Sequence, residues 1–364
     1  MTAEAIRIDR VVLHRIRLPF RSPFVTAHGA ETDKHATIVQ IDRGGVTGWG
    51  ECSALQNPTY TYEYADGAFA VLRDALVPAL LAGHRSSVVG HPMASASIEA
   101  AMLDARLRLE SRSLASYLGA TRAFVPAGVA VGLEASARAL VAVVGQRVDE
   151  GYKRVKLKIE PGRDLDHVTA VRRAFPDLEL HVDANGAYSV DDAEHLRGFD
   201  DLGLSFLEQP LDADDLEGHA ALAAQLHTPI CLDESITSLR GCRRALDMGA
   251  CSVVNLKAAR VGGIEEARRI HDLCVERGAG LWCGGMLETG VGRAVNLALA
   301  AMPGFTLTGD LSASRRYFAH DITAPIELVD GRLAVPSDPG IGVPVDRNAL
   351  AACTITHAEF VPSR

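Results

Sequence analysis

Tyr152-Lys153-Arg154-Val155-Lys156-Leu157-Lys158-Ile159-Glu160 is the stretch on which the reading of the fold turns. A strand sends alternate side chains to opposite faces. Val155, Leu157 and Ile159 therefore share one face, and Lys156 and Lys158 share the other. An exposed amphipathic strand has the same pattern. A barrel strand has no exposed face, so there the two lysines point inward. Four further segments end on a charge in the same way: Asp183 follows His-Val, Glu208 follows Phe-Leu, Asp233 follows Cys-Leu and Lys257 follows Asn-Leu. From Lys158 onward these residues recur at intervals of 25, 25, 25 and 24. That interval is one strand plus one helix. Strands of a parallel barrel are covered on both sides and should be almost wholly apolar, so charges at successive strand ends stand out.

Outward from this stretch, short apolar segments recur at 127–131, 155–159, 180–183, 205–208, 230–233, 253–257, 280–285 and 306–309. Helix-like stretches lie between them, such as 164–175, 215–226 and 264–277. Eight strands alternating with helices predict a closed parallel (β/α)8 TIM barrel. An open doubly wound sheet usually carries a Gly-rich turn after its first strand, and no GxGxxG stands there. Before residue 126 the rhythm differs. Residues 7–17 read as a strand with Ile8, Val11, Leu13 and Ile16 buried and an irregular alternation. Residues 37–41 and 47–51 follow, separated by Gly44-Gly45, and an Ala/Leu-rich helical region runs from Tyr62 to Leu118. Strands followed by helices predict an α+β unit. The expected organisation is a capping domain over 1–125, a modified barrel over 126–323 and a C-terminal segment, 324–364, that returns to the cap.

Composition narrows the function. Lys plus Arg total 37 against 46 Asp plus Glu, a net charge of −9. An acidic chain with scattered basic residues is a poor nucleic-acid binder. Residues 1–10 lack a signal-peptide layout. The most apolar helical stretch, 68–82, is too short and interrupted to span a bilayer. Seven cysteines without CxxC spacing fit reduced thiols in a cytoplasmic protein. The expected partner is a small molecule rather than a nucleic acid or a membrane, and a homo-oligomer is expected.

Barrel enzymes keep their active sites at the C-terminal mouth. Taken singly, Asp183 could cap a turn and Asp233 could start a helix. Taken together, Asp183, Glu208 and Asp233 come from adjacent strands and can converge. Three carboxylates repel unless a cation neutralises them. Oxygen ligands favour Mg²⁺, with Mn²⁺ or another divalent ion as alternatives. No His or Cys stands at the corresponding positions to favour zinc. Lys257 lies four strands after Lys158, across the mouth. A lysine near a second ammonium and a metal ion should lose proton affinity and become a base.

These residues resemble the enolase superfamily, in its muconate lactonizing enzyme subgroup. The resemblance implies a capped, modified barrel in which a metal holds a substrate carboxylate while a base removes the α-proton. Lys158 matches the second lysine of the KxK motif, Lys257 the opposing lysine, and Asp183, Glu208 and Asp233 the metal ligands. The His–Asp dyad of the mandelate racemase branch has no match. Residues 152–160, 228–235, 255–263, 282–293 and 309–314, with Pro58-Thr59-Tyr60 and Glu63, look like the o-succinylbenzoate synthase / N-succinylamino acid racemase family. This implies a syn dehydration belonging to menaquinone synthesis, a racemisation of N-acylamino acids, or both. Arg260 resembles an arginine linked to racemisation. It either raises the reactivity of Lys257 or pairs with a surface carboxylate. Lys156, Asn185, Glu234, Asn255, Gly285 and Met286 are expected beside the ligands and substrate. Two loops, 23–29 and 52–60, are expected over the substrate, with Phe24, His28 and Tyr60 facing it. Relatives carry a serine where this chain has Ala130. Either the lost hydroxyl changes how the substrate is held or the position is merely packed. Dipeptide epimerases carry DxD where this chain has Asp310-Leu311-Ser312, and a barrel without catalysis that binds a ligand is the alternative of another class.

Overall fold

Short strands of two to five residues, largely hidden on both faces, form the centre of the molecule. The computed structural model describes residues 7–26, 29–84 and 86–362. Strands β1 (Ile8–Thr26), β2 (Gly29–Arg43) and β3 (Val46–Cys52) form an antiparallel meander. Gly44 and Gly45 turn β2 into β3 with φ of 57° and 81°, the backbone that a two-residue hairpin turn requires. Val11, Leu13 and Ile16 are buried as expected, and Ile8 is half-buried. The irregularity of β1 shows as register shifts near Ile8, between Arg15 and Ile16, and between Pro19 and Phe24. Helix Pro92–Leu109 packs against this sheet, and its N-terminal N–H groups at Met93 and Ala94 donate to the Glu63 carboxylate at 2.7 and 2.8 Å.

The barrel strands follow a short strand β4 (Phe124–Pro126). They are β5 (Gly128–Val131), β6 (Arg154–Lys158), β7 (Glu179–Asp183), β8 (Leu207–Glu208), β9 (Ile230–Leu232), β10 (Val253–Leu256) and β11 (Gly280–Cys283). They form one parallel sheet in chain order. Asp164 and Asp215 cap the N-termini of helices Leu165–Ala174 and Leu216–Ala223 through their carboxylates, as Asp residues in that position do. The expected eighth strand, 306–309, is not an extended strand. The segment closes the curled sheet through single bonds: Leu307 N donates to Leu281 O at 3.1 Å, and Gly128 N donates to Gly309 O at 2.9 Å.

After the barrel, β12 (Leu328–Val329) pairs with β13 (Arg332–Ala334), β13 pairs with β4, and β14 (Thr354–Phe360) pairs antiparallel with β1. Of the segment 23–29, expected as a loop, residues 23–26 and 29 are strand. Phe24 pairs with Glu31 and Val25 with Ala30, so the β1–β2 hairpin extends to the barrel mouth, where Leu133 N donates to Val25 O at 3.3 Å. Residues Ala27 and His28 lie outside the described residues, and so does the expectation placed on His28. No helix among the described residues is long and apolar enough to cross a membrane.

Candidate active site

Parallel pairing puts the last residues of neighbouring strands at one level. Lys158 pairs in register with Asp183, and Asp183 with Glu208. Asp233 and Lys257 stand one residue beyond β9 and β10. All five side chains are buried. Lys158 Nζ donates to Asp183 Oδ2 and Asn185 Oδ1, each at 2.6 Å. On the other side Lys257 Nζ donates to Asp233 Oδ2 at 2.8 Å and to the Tyr60 hydroxyl at 2.9 Å. The two lysines thus flank the carboxylate cluster from opposite sides. The approach of Lys257 requires glycine at position 284. A Cβ there would lie 2.2 Å from Asn255 Oδ1 and 2.8 Å from Lys257 Cε.

Lys156 sits deeper. Its ammonium is 2.7 Å from Asp310 Oδ2, 3.2 Å from Asp183 Oδ2 and 3.4 Å from Glu208 Oε2. Asn185 has φ of 46° and donates through Nδ2 to Glu234 Oε1 at 2.8 Å. Asn255 Nδ2 donates to Glu208 Oε1 at 2.7 Å. Arg260 does not meet a surface carboxylate. It is buried, donates to Asp233 Oδ1, and reaches the Tyr60 hydroxyl at 2.7 Å. Gly285 N donates to Asp310 Oδ1 at 2.8 Å, and Met286 O accepts from Lys34 Nζ at 2.9 Å.

Burial pulls the Lys257 ammonium down, but Asp233 and Tyr60 outweigh it and hold the group above the ordinary lysine range. A carboxylate at 2.8 Å counts for more than the more distant cations. Burial likewise favours neutral Lys156, and Asp310, Glu208 and Asp183 overcome it. Burial and the charge of Asp183 push the Glu208 carboxyl up. Burial also raises Asp233, yet Arg260 and Lys257 hold it well below the usual carboxylate range.

Among the described residues, no three His, Cys, Asp or Glu side chains are gathered closely enough to hold a metal ion as they stand. Asp183 and Asp233 turn an oxygen each toward a lysine instead. The donor set still fits a hard divalent cation. It is all oxygen, it is buried, and Oε2 of Glu208 accepts no hydrogen bond. The Lys156 ammonium, 3.4 Å away, offsets its charge without a hydrogen bond, so this buried oxygen remains open to a cation.

A cavity of about 100 Å³ opens over the cluster. Lys156, Lys158, Lys257, Asn185, Gly285 and Met286 line it, with Phe24 and Tyr60 from the cap. Ala130 lines it too, so the position faces the cavity rather than only the packed core. Four residues escaped the sequence reading as site residues. Asp310 neutralises Lys156. Gln209, with φ of 40°, accepts from Asp233 N at 3.0 Å and so orients that residue. Arg154 and His181 form the layer beneath, the guanidinium 4.6 Å from the Trp282 ring centre and 3.2 Å from His181 Nε2. Arg154 follows the two-residue spacing of Lys156 and Lys158, and His181 lies two before Asp183. That spacing was the available signal.

Fold and site define the class, a capped parallel-barrel enzyme with opposed lysines at its mouth. Residues 8–119 match the mandelate racemase / muconate lactonizing enzyme N-terminal domain, and residues 139–349 match the enolase C-terminal domain-like family. The N-succinylamino acid racemase of Amycolatopsis sp is 47% identical over 349 residues, covering 93% of this chain and 95% of that protein. The o-succinylbenzoate synthase of Geobacillus stearothermophilus is 43% identical over 362 residues, 96% of each. The crystal structure of an enolase superfamily member from Listeria innocua matches with a TM-score of 0.92 at 40% identity, covering 98% of this chain and all of that one. The chain belongs to the enolase superfamily, in the group that holds o-succinylbenzoate synthases and N-succinylamino acid racemases.

Proposed function

We propose that this enzyme dehydrates 2-succinyl-6-hydroxy-2,4-cyclohexadiene-1-carboxylate to o-succinylbenzoate and racemises N-succinylamino acids at the same site. The observation that carries the reading is the pair of ammonium groups, Lys158 and Lys257, on opposite sides of one carboxylate cluster. Relatives named for each activity span almost the whole chain.

In the dehydration, Lys158 takes the proton α to the substrate carboxylate. The electron pair moves toward the carboxylate, then back to expel hydroxide from the ring. The same lysine, now an ammonium, returns its proton to that hydroxide, so water leaves. Lys257 stays charged and stabilises the intermediate electrostatically. In racemisation each lysine serves one enantiomer. One removes the α-proton and the other delivers a proton to the opposite face. Asp183, Glu208 and Asp233 would hold Mg²⁺, which supplies positive charge to the substrate carboxylate when bound. Asp310-Leu311-Ser312 argues against a dipeptide epimerase, because Asp310 is committed to Lys156 and Ser312 Oγ donates to Gly128 O at 3.1 Å.

The test is turnover of both substrates by the purified protein with Mg²⁺. Asp233→Asn should lose both activities and bind Mg²⁺ more weakly while the circular dichroism spectrum is unchanged. Full activity after exhaustive chelation would sink the metal assignment.

A further inference from the structure

Buried cations at this mouth are matched by carboxylates. Lys156, Lys158, Lys257 and Arg260 pair with Asp183, Asp233 or Asp310. Arg293 is different. It lines the same cavity, is only 2% exposed, and among the described residues has no carboxylate within 4 Å. Its guanidinium is held without being neutralised. Nη1 donates to Ser312 O, Nη2 donates to Glu288 O at 2.8 Å, and the group lies 5.4 Å from the Tyr317 ring centre. These bonds engage two of its five N–H donors. The acids whose charge reaches it are occupied elsewhere. Glu288 accepts from Met286 N at 2.7 Å and from Asn296 Nδ2 at 2.8 Å. Asp321 accepts from Gly290 N at 3.0 Å and from Ile322 N at 2.7 Å. A buried charge without a counter-charge is costly, and a planar fork of N–H donors suits a carboxylate.

We propose that Arg293 receives the second carboxylate of a dicarboxylate substrate, the far end of a succinyl group, while the first lies at Asp183, Glu208 and Asp233. This rests on the reading of the site given above and adds its specificity. Tyr317 and Phe24, edge-on at 6.5 Å, offer the methylene chain between the carboxylates an apolar wall. Arg293 is then a specificity-determining residue: it selects succinyl over neutral acyl groups.

The test compares an N-succinylamino acid with its N-succinamyl analogue, in which a primary amide of equal size replaces the far carboxylate. The parent enzyme should prefer the succinyl substrate in kcat/KM by roughly 10- to 100-fold, as a lost charge-assisted hydrogen bond predicts. Arg293→Gln should lower turnover of the succinyl substrate alone and shrink the preference below about threefold. Arg293→Lys should restore part of it. No preference in the parent, or an equal loss on both substrates in Arg293→Gln, overturns the proposal. If Arg293→Gln does not fold, the parent's preference decides. If the parent turns over neither substrate, the activity reading falls, and calorimetry on the Mg²⁺-loaded parent decides this one. Succinate binding about tenfold tighter than succinamate supports it, and equal binding overturns it.

Discussion

Tyr60 supplies the hydroxyl that joins Lys257, Arg260 and Asp233, with contacts of 2.9, 2.7 and 3.2 Å. Its removal leaves Lys257 with Asp233 as its remaining hydrogen-bond partner among those described. Tyr60→Phe should therefore slow proton transfer at Lys257 by about tenfold, a typical cost for an unmatched buried hydrogen bond, and leave transfer at Lys158 within about twofold. Exchange of the α-hydrogen, measured separately for each enantiomer of an N-succinylamino acid, reads the two lysines independently. Equal slowing of both would show that Tyr60 only supports the loop. At this scale the sequence was legible where a residue sits on a strand, because the strand period fixes its direction. Lys158, Asp183, Glu208, Asp233 and Lys257 all follow from that rule. Asp310 and Arg293 do not. Asp310 acquires its role from a lysine more than 150 residues away, and Arg293 from the carbonyls of two loops.

Helix Pro92–Leu109 begins without a side-chain cap of its own and uses Glu63 instead. Burial pushes the Glu63 carboxyl up to about 7 from 4.5, against the two N–H donors that lower it. The folded chain then binds this proton more tightly than the unfolded chain. Its contribution to stability is full below pH about 4.5 and is lost as pH rises through about 7. The stability of the parent minus that of Glu63→Gln should fall across this window, by at most roughly 3 kcal/mol. Denaturant unfolding at several pH values measures it. A difference that is flat or grows with pH would mean the N–H donors win and the carboxylate is charged throughout. Elements were legible to the extent that composition marked them. The meander, the seven barrel strands and the capped helices carry apolar periods and cap residues. The segment at 306–309 reads as a strand from its spacing, yet it joins its neighbours only through single bonds at Leu307 and Gly309 among the described residues. Pro23 and Gly29 make the stretch 23–29 read as a loop, yet the pairing of β1 with β2 continues to the mouth.

Across the whole molecule, cap and barrel meet at the active site through buried polar bonds. Lys34 on β2 donates to Met286 O, and Glu51 on β3 accepts from Thr289 Oγ1 at 2.6 Å and Gly292 N at 3.0 Å. The loop after β11 is thereby fixed to the sheet that carries Tyr60's segment. The sheet itself must curl through five neighbours for Lys158 on β6 and Lys257 after β10 to face one another. The central claim is that this opposition makes them two bases on two faces of one carbon. Incubating each enantiomer of an N-succinylamino acid in D₂O with single-lysine variants measures it. Lys158→Ala should exchange the α-hydrogen of one enantiomer only, and Lys257→Ala that of the other, with neither variant racemising. Loss of a positioned base commonly costs about 10²–10⁴-fold. If either variant exchanges both enantiomers at the parent rate, that lysine is not a base and the two-lysine account is wrong.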